Sequence, residues 1–294
     1  MSRSSRSIDW LLLLGPGTIW GASFLFIAEG LNAVGPAGVT FLRILIGCST
    51  LALFPSARLR VAREDLGKIA LLGVVWLAFP LTMFPYAEQR VSSAVTGMLN
   101  GANPLFTAAV GAVLIRRMPS RGILVGLAVG LIGTVTIALP SLHEGSNSIA
   151  GIVMILAALF SYGIALNLAH ALQERNGALA VILRAQVVAL VLTAPMGIPD
   201  LVHVRWAAGP LLSLVALGAF GTGIAYALLG VAAGRLGATR ASATTFLIPG
   251  IALVLGVVVR GESVAVLSVI GSAVCVLGAW ILRRERIAEA GGQE

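Results

Sequence analysis

The second half of this chain repeats the first at a fixed offset. Arg90, Pro104, Arg117, Gly126 and Gly133 recur as Arg235, Pro249, Glu262, Gly271 and Gly278, each 145 residues further on. Both halves are almost wholly apolar. Hydrophobic residues make up 58% of the chain and charged residues only 11%, where soluble domains carry roughly 25% charged residues. The repeat is therefore one of membrane-spanning helices, and a duplicated helical bundle in a membrane is the usual architecture of a transporter.

The net charge of +8 does not point to nucleic acid. The arginines sit in short connections between apolar runs, which is the pattern of membrane topology. Cys48 and Cys275 lie inside apolar runs and read as small buried hydrophobes. Neither a disulfide framework nor a metal-ligand spacing is present, so no metal and no cofactor is expected. Arg3 and Arg6 followed by Leu11–Leu14 resemble a signal peptide. That apolar run continues to Ala28, about 18 residues in all and long enough to span, so it reads as an uncleaved first helix.

A helix rising 1.5 Å per residue needs about 20 apolar residues to cross a ~30 Å core. Ten segments qualify, approximately 10–28, 36–54, 67–87, 93–115, 121–139, 149–172, 178–197, 208–230, 238–259 and 263–282. The longest polar stretch, Leu142–Ser148, divides the chain into halves 1–142 and 143–294. Positive charge sets the orientation. With the N-terminus inside, fourteen of the twenty Lys and Arg residues fall in inner segments. Arg90, Arg205 and Arg260 fall outside, and Arg43, Arg184 and Arg240 lie within spans. Both termini are then cytoplasmic. Five spans per half is an odd number, so the copies insert with opposite orientation. The basic residue of the Arg117/Glu262 pair occupies the cytoplasmic copy. The expected fold is an all-α integral membrane protein, ten transmembrane helices as two inverted five-helix repeats.

Prolines and glycines mark where such a pair can flex. Pro80 and Pro85 interrupt the third span, and Gly218, Gly221 and Gly223 soften the eighth at the matching place. These are static kinks or hinges for alternating access. Pro104 and Pro249 lie mid-span in the fourth and ninth segments, each freeing a carbonyl about one turn earlier, near Asn100 and Thr245. Small residues at four-residue spacing (Gly17/Gly21, Gly97/Gly101, Gly122/Gly126/Gly130 and Gly230/Gly234) let helices approach closely. A subunit contact through the Gly122 series is the alternative there.

Arg43 and Arg184 are the costliest residues to bury, at roughly 2.5–3.5 kcal/mol each. Phe41-Leu42-Arg43 matches Ile182-Leu183-Arg184. Each arginine lies seven residues past Pro36 or Gly177, about 10 Å deep at the helical rise. Either they hold a substrate carboxylate, or they bond helix-end carbonyls and snorkel; their peripheral depth favours the second. Substrate sites of inverted repeats lie near the midplane, which selects Trp20, Asn100, Tyr162, Gln186 and Tyr226, with Trp20-Gly21 loosely matching Tyr162-Gly163. Trp10, Trp206 and Trp280 sit at span ends as interfacial anchors. No Asp or Glu lies in the middle of a span, and Glu88 falls at an end. Proton coupling is thus unsupported, with His170 the nearest titratable group. The chain has no His-Glu-x-x-His helix, no Gly-x-Ser-x-Gly elbow and no paired intramembrane carboxylates, so it does not read as an enzyme.

The run Arg235-Leu-Gly-Ala-Thr-Arg-Ala-Ser242, then Phe246-Leu247-Ile248-Pro249, then Gly261-Glu262 closely resembles the second repeat of EamA-type transporters of the drug/metabolite transporter superfamily. Trp20-Gly21, Phe41-Leu42-Arg43, Pro104 and the Gly126/Gly133 spacing extend the resemblance over the first repeat. It departs at Arg116-Arg117, where the family often has Gly-Glu. The resemblance implies a multi-pass carrier in the bacterial inner membrane, with the lipid bilayer and a small-molecule substrate as its partners; the oligomeric state is left open, a monomer among the options. The whole chain looks like the aromatic amino-acid exporter branch, which implies export of amino acids such as Phe and Met by alternating access. An exporter of cationic drugs or other small metabolites is the alternative, and it predicts a carboxylate in the cavity.

Overall fold

The computed structural model describes residues 3–116, 119–142, 145–236 and 242–291. Arg117 and Arg240, and His143 and Glu144 at the division between the halves, lie outside the described residues. Every regular element described is helical. Seven helices are long and apolar enough to cross a membrane: Ile8–Gly30, Arg63–Glu88, Arg121–Leu142, Ser148–Asn176, Ala178–His203, Ala208–Ala233 and Val266–Glu285. Three shorter apolar helices, Pro36–Leu51, Asn103–Leu114 and Thr244–Arg260, pack with them. Val113, Leu131, Ile132 and Val258 stand exposed on the bundle surface, as suits hydrocarbon rather than water. The chain is a multi-pass membrane protein.

In chain order the helices are α1 (Arg3–Gly30), α2 (Pro36–Leu51), α3 (Leu66–Leu72), α4 (Phe79–Glu88), α5 (Ser93–Asn100), α6 (Asn103–Ile115), α7 (Arg121–Leu142) and α8 (Ser146–Asn176). They continue as α9 (Ala178–Asp200), α10 (Ala208–Ala216), α11 (Ala225–Leu236), α12 (Ile248–Arg260) and α13 (Val266–Gly291). A π turn, Gly73–Ala78, joins α3 to α4, and a second, Leu217–Ile224, joins α10 to α11. A 3₁₀ turn, Ser242–Leu247, leads into α12.

The prolines act differently from the mid-span kinks expected of them. Pro104 and Pro249 fall in the first turns of α6 and α12, where no intrahelical donor is required. The chain restarts a helix at each, so the fourth and ninth apolar segments are broken rather than bent. In the third span the irregularity lies in the π turn upstream of Pro80, which opens α4. Gly218 and Gly221 sit inside the second π turn. Pro85 does remain within α4 and cannot donate to the Leu81 carbonyl; Thr40 Oγ1 of α2 donates to it instead, at 3.1 Å.

Close packing repeats between the halves. A Cβ on Gly73 would lie 2.8 Å from the Ala185 carbonyl oxygen and 2.8 Å from Val188 Cβ. One on Gly218 would lie 3.0 Å from the Arg43 carbonyl oxygen and 2.6 Å from Ile46 Cβ. Gly73 and Gly218 differ by 145 in number, and Arg43 and Ile46 differ from Ala185 and Val188 by 142. Helices α7 and α13 run antiparallel through glycines. A Cβ on Gly278 would meet the Gly130 nitrogen at 2.3 Å, and one on Gly133 would meet the Cys275 nitrogen at 2.3 Å. Gly126 likewise faces Gly278 and Leu282, and Gly122 faces Glu285. The Gly122/Gly126/Gly130 stripe is therefore spent on packing within the chain, which replaces the alternative of a subunit contact. Gly97 against Ala252 and Gly101 against Pro249 press the two broken spans together beside the centre of the bundle.

Candidate functional site

Between the halves lies a cavity of about 330 Å³. Trp20, Phe24 and Ile27 of α1 line it opposite Tyr162, Leu166 and Ala169 of α8, each pair separated by 142 in number. The broken spans contribute Asn100 and Asn103 on one side and Thr245 and Ile248 on the other, separated by 145. The cavity is closed at the end of Ile27, Phe84 and Arg43, where Phe24 and Phe84 meet edge to face at 5.7 Å. It opens past His170, Gln173 and Ala178, at the turn between α8 and α9.

Four of the five residues expected at a substrate site, Trp20, Asn100, Tyr162 and Tyr226, line this cavity. Gln186 does not. It is fully buried, and its Nε2 donates to the Thr222 carbonyl at 2.7 Å. The physical reason is the π turn, whose shifted hydrogen bonding leaves carbonyls for side chains to satisfy. Trp20 Nε1 donates to the Gly221 carbonyl at 3.0 Å in the same turn. In the other half Ser161 Oγ donates to the Val75 carbonyl at 2.6 Å.

The two arginines part company. Arg184 bonds helix-end carbonyls, as the snorkelling reading has it: its Nη1 reaches Ala57 and its Nη2 reaches Arg58 at 3.3 Å, in the 3₁₀ turn Pro55–Arg58. Arg43 instead is 6% exposed and lines the cavity. Its one hydrogen bond among the described residues runs from Nε to Thr222 Oγ1 at 2.9 Å. The expected mirror placement needs correcting. The helices begin at N-caps Gly35 and Gly177, so Arg43 stands eight residues past its cap and Arg184 seven. One residue turns a helical side chain by about 100°. Arg184 thereby occupies the place of Leu42, and Arg43 that of Ala185.

Sequence reasoning missed Trp76, Asn103, Phe24 and Phe84, all of which line the cavity. Trp76 lies in the first π turn, and with Trp20 it flanks Tyr226, the ring centroids 5.6 and 5.5 Å away and both contacts edge to face. Asn103 follows Asn100 at a spacing that shares a helix face, a signal that was available. The Oδ1 atoms of both asparagines are buried with no hydrogen-bond partner. No carboxylate lines the cavity among the described residues, and no group of His, Cys, Asp and Glu there is arranged to hold a metal.

At the closed end, carboxylates cap helices of the opposite half. Glu262 Oε1 accepts from Ser93 N at 3.1 Å and Ser93 Oγ at 2.7 Å, and Oε2 accepts from Ala94 N at 2.9 Å. A negative charge is favourable there, at the N-terminus of α5. Arg260 bridges Glu262 and Glu29, and Asp200 accepts from Gly38 N at 2.9 Å near the start of α2. Glu88, the last residue of α4, has both carboxylate oxygens buried without a hydrogen-bond partner. At the open end Arg175 pairs with Glu64 and Asp65.

Comparison with known proteins places this architecture. The sequence profile of the EamA-like transporter family matches residues 8–139 and again 149–284. A probable terminal-alkyne amino-acid exporter of Streptantibioticus cattleyicolor is 28% identical over 283 residues, covering 95% of this chain and 94% of that protein. A probable amino-acid metabolite efflux pump of Salmonella typhimurium is 25% identical over 286 residues, covering 93% and 94%. A solved crystal structure shares the fold with a TM-score of 0.63 at 20% identity, over 95% of this chain and 96% of that one.

Proposed function

The chain belongs to the EamA-like transporter family, and from that premise we propose that it exports amino acids, aromatic and apolar ones such as Phe and Met included, across the bacterial inner membrane. It works by alternating access between two inverted five-helix repeats, 1–142 and 143–294, of ten spans in all. Two features support that architecture: the profile matches twice, and the glycine contacts exchange between the halves. Fourteen of twenty basic residues in the segments assigned to one side support termini in the cytoplasm. The cavity mouth at His170 and Gln173 then faces the cytoplasm, ready to load. The broken spans at Pro104 and Pro249 and the π turns around Gly218, with the matching turn before Pro80 and Pro85, are the flexing points.

The observation that carries the reading is Arg43. A guanidinium this deep in a bundle is costly unless an anion meets it, and among the described residues its hydrogen bonding is confined to Nε. A substrate carboxylate supplies two acceptors in the geometry a guanidinium prefers. The edge-to-face cluster of Trp20, Trp76 and Tyr226 offers apolar faces and edges to a side chain. A volume of about 330 Å³ lies at the small end of ligand pockets, as suits a free amino acid. With no carboxylate on its walls among the described residues, the cavity offers no counter-charge there for a cationic drug.

The test is counterflow of labelled Phe, Met and Thr in proteoliposomes. Saturable exchange whose apparent KM rises at least about tenfold in Arg43→Ala is the expected result. No saturable movement of any of the three would sink the proposal.

A further inference from the structure

Resting on the amino-acid reading above, we infer that Asn100 and Asn103 form the subsite for the substrate's ammonium group, so that the cavity reads both ends of a zwitterion. The two amides flank the break between α5 and α6, where the helix stops at Asn100 and restarts at Asn103. Both line the cavity, and both Oδ1 atoms are buried with no hydrogen-bond partner. A buried, unpaired amide oxygen costs roughly 1–3 kcal/mol, so two in one cavity wall mark a place built for a donor from elsewhere. With no oxygen bonded, a half-turn about the soft terminal torsion of each amide brings an acceptor to the cavity without breaking an oxygen contact.

The break also frees a third acceptor. Pro104 has no N–H to give back to the Asn100 carbonyl, and carbonyls freed at a helix break coordinate cations in membrane carriers. An ammonium carries three donors, which matches three acceptors. The other half offers no such set, because Thr245 and Ile248 stand where the asparagines would be. Arg43 belongs to the same half as the asparagines, so one repeat supplies the groups for both charges. Among the described residues no carboxylate lines the wall, so the ammonium is read by neutral oxygens. A bare amine then gains too little to bind, and a bare carboxylate leaves the amides unpaired.

The experiment measures binding to purified full-length protein by quenching of tryptophan fluorescence, using L-phenylalanine, 3-phenylpropionate and 2-phenylethylamine. The expected result is that both singly charged analogues bind at least tenfold more weakly than phenylalanine. Asn103→Leu should weaken phenylalanine about tenfold and leave 3-phenylpropionate unchanged. Asn103→Asp should strengthen 2-phenylethylamine, a gain that misfolding does not produce. Binding of 3-phenylpropionate as tight as that of phenylalanine to the unaltered protein would overturn the inference while sparing carboxylate recognition by Arg43. Equal weakening of phenylalanine and 3-phenylpropionate by Asn103→Leu would overturn it too. If none of the three compounds binds, the amino-acid reading itself fails, and the subsite with it.

Discussion

Arg43 and Arg184 look like one residue repeated, yet the structure gives them unlike work. Their flanking sequences align at an offset of 141, whereas the N-caps Gly35 and Gly177 align at 142. The glycine contacts of the π turns obey the second register. A slip of one residue is about 100° of rotation. That is enough to carry one guanidinium into the cavity and the other out to the carbonyls of Ala57 and Arg58. A repeated motif therefore preserves function only if it also preserves the helix register.

The largest expected effect follows from that slip. Arg43→Ala should raise the apparent KM for amino-acid transport roughly ten- to hundredfold, the equivalent of about 1.5–3 kcal/mol for charge-assisted hydrogen bonds. Exchanging Leu42 and Arg43 by the double substitution Leu42→Arg/Arg43→Leu keeps the composition and moves the charge by one position. It should lose transport as fully as Arg43→Ala, as read by counterflow. Arg184→Ala should instead lower thermal stability, with transport per folded molecule changed by no more than about twofold. Equal transport defects in Arg43→Ala and Arg184→Ala would break the distinction.

Where the halves agree, their mutants should agree. Gly133→Ala drives a methyl into the Cys275 backbone, and Gly278→Ala drives one into the Gly130 backbone, each at 2.3 Å. Backbone cannot step aside as a flexible side chain can, so each variant should lose about 1–3 kcal/mol and by similar amounts. Gly250→Ala, with nothing within 4 Å of its added carbon, is the neutral control. Thermal unfolding in detergent reads all three.

Much of this was legible in the chain itself. Hydropathy marked the apolar helices because a spanning segment must match the bilayer, and the 145-residue offset paired Asn100 with Thr245 before either was placed. Helix register was not legible, since a motif match does not say where its helix begins. The broken spans were hidden for a related reason: a proline inside an apolar run reads as a kink, and only the backbone shows it opening a new helix. Gln186 misled because an amide on an apolar helix looks alike whether it faces a cavity or a π-turn carbonyl. Glu88 read as a span-end residue, yet its oxygens are buried, because depth depends on the neighbours packed around it.

A smaller effect is expected at the closed end. Glu262→Gln keeps the shape of the α5 cap and removes its charge, while Glu262→Ala removes the three hydrogen bonds as well. Loss of the cap should cost about 1–2 kcal/mol and shift the population toward the state open at that end. In a Cys48→Ser background, Ser23→Cys on the cavity wall reports this by labelling with an impermeant maleimide. Several-fold faster labelling from the side of the closed end in Glu262→Ala is the expected outcome, with Glu262→Gln between. Unchanged labelling would mean that the cap stabilises α5 without helping to close the cavity.

The smallest expected effect comes from the facing pair Trp20 and Tyr162. They occupy matching places in α1 and α8, yet only Trp20 ties its ring to a π turn, through Nε1 and the Gly221 carbonyl. Trp20→Phe retains an aromatic ring beside Tyr226 and leaves that carbonyl short of a donor, a cost of about 0.5–1 kcal/mol. Tyr162→Phe removes a hydroxyl that makes no hydrogen bond among the described residues, and should cost less. Measured by counterflow with the same labelled amino acid, Trp20→Phe should alter KM by two- to fivefold, about 0.5–1 kcal/mol, and Tyr162→Phe by less than that. A larger defect in Tyr162→Phe would place a substrate hydrogen bond on the tyrosine and shift the polar recognition toward the second half.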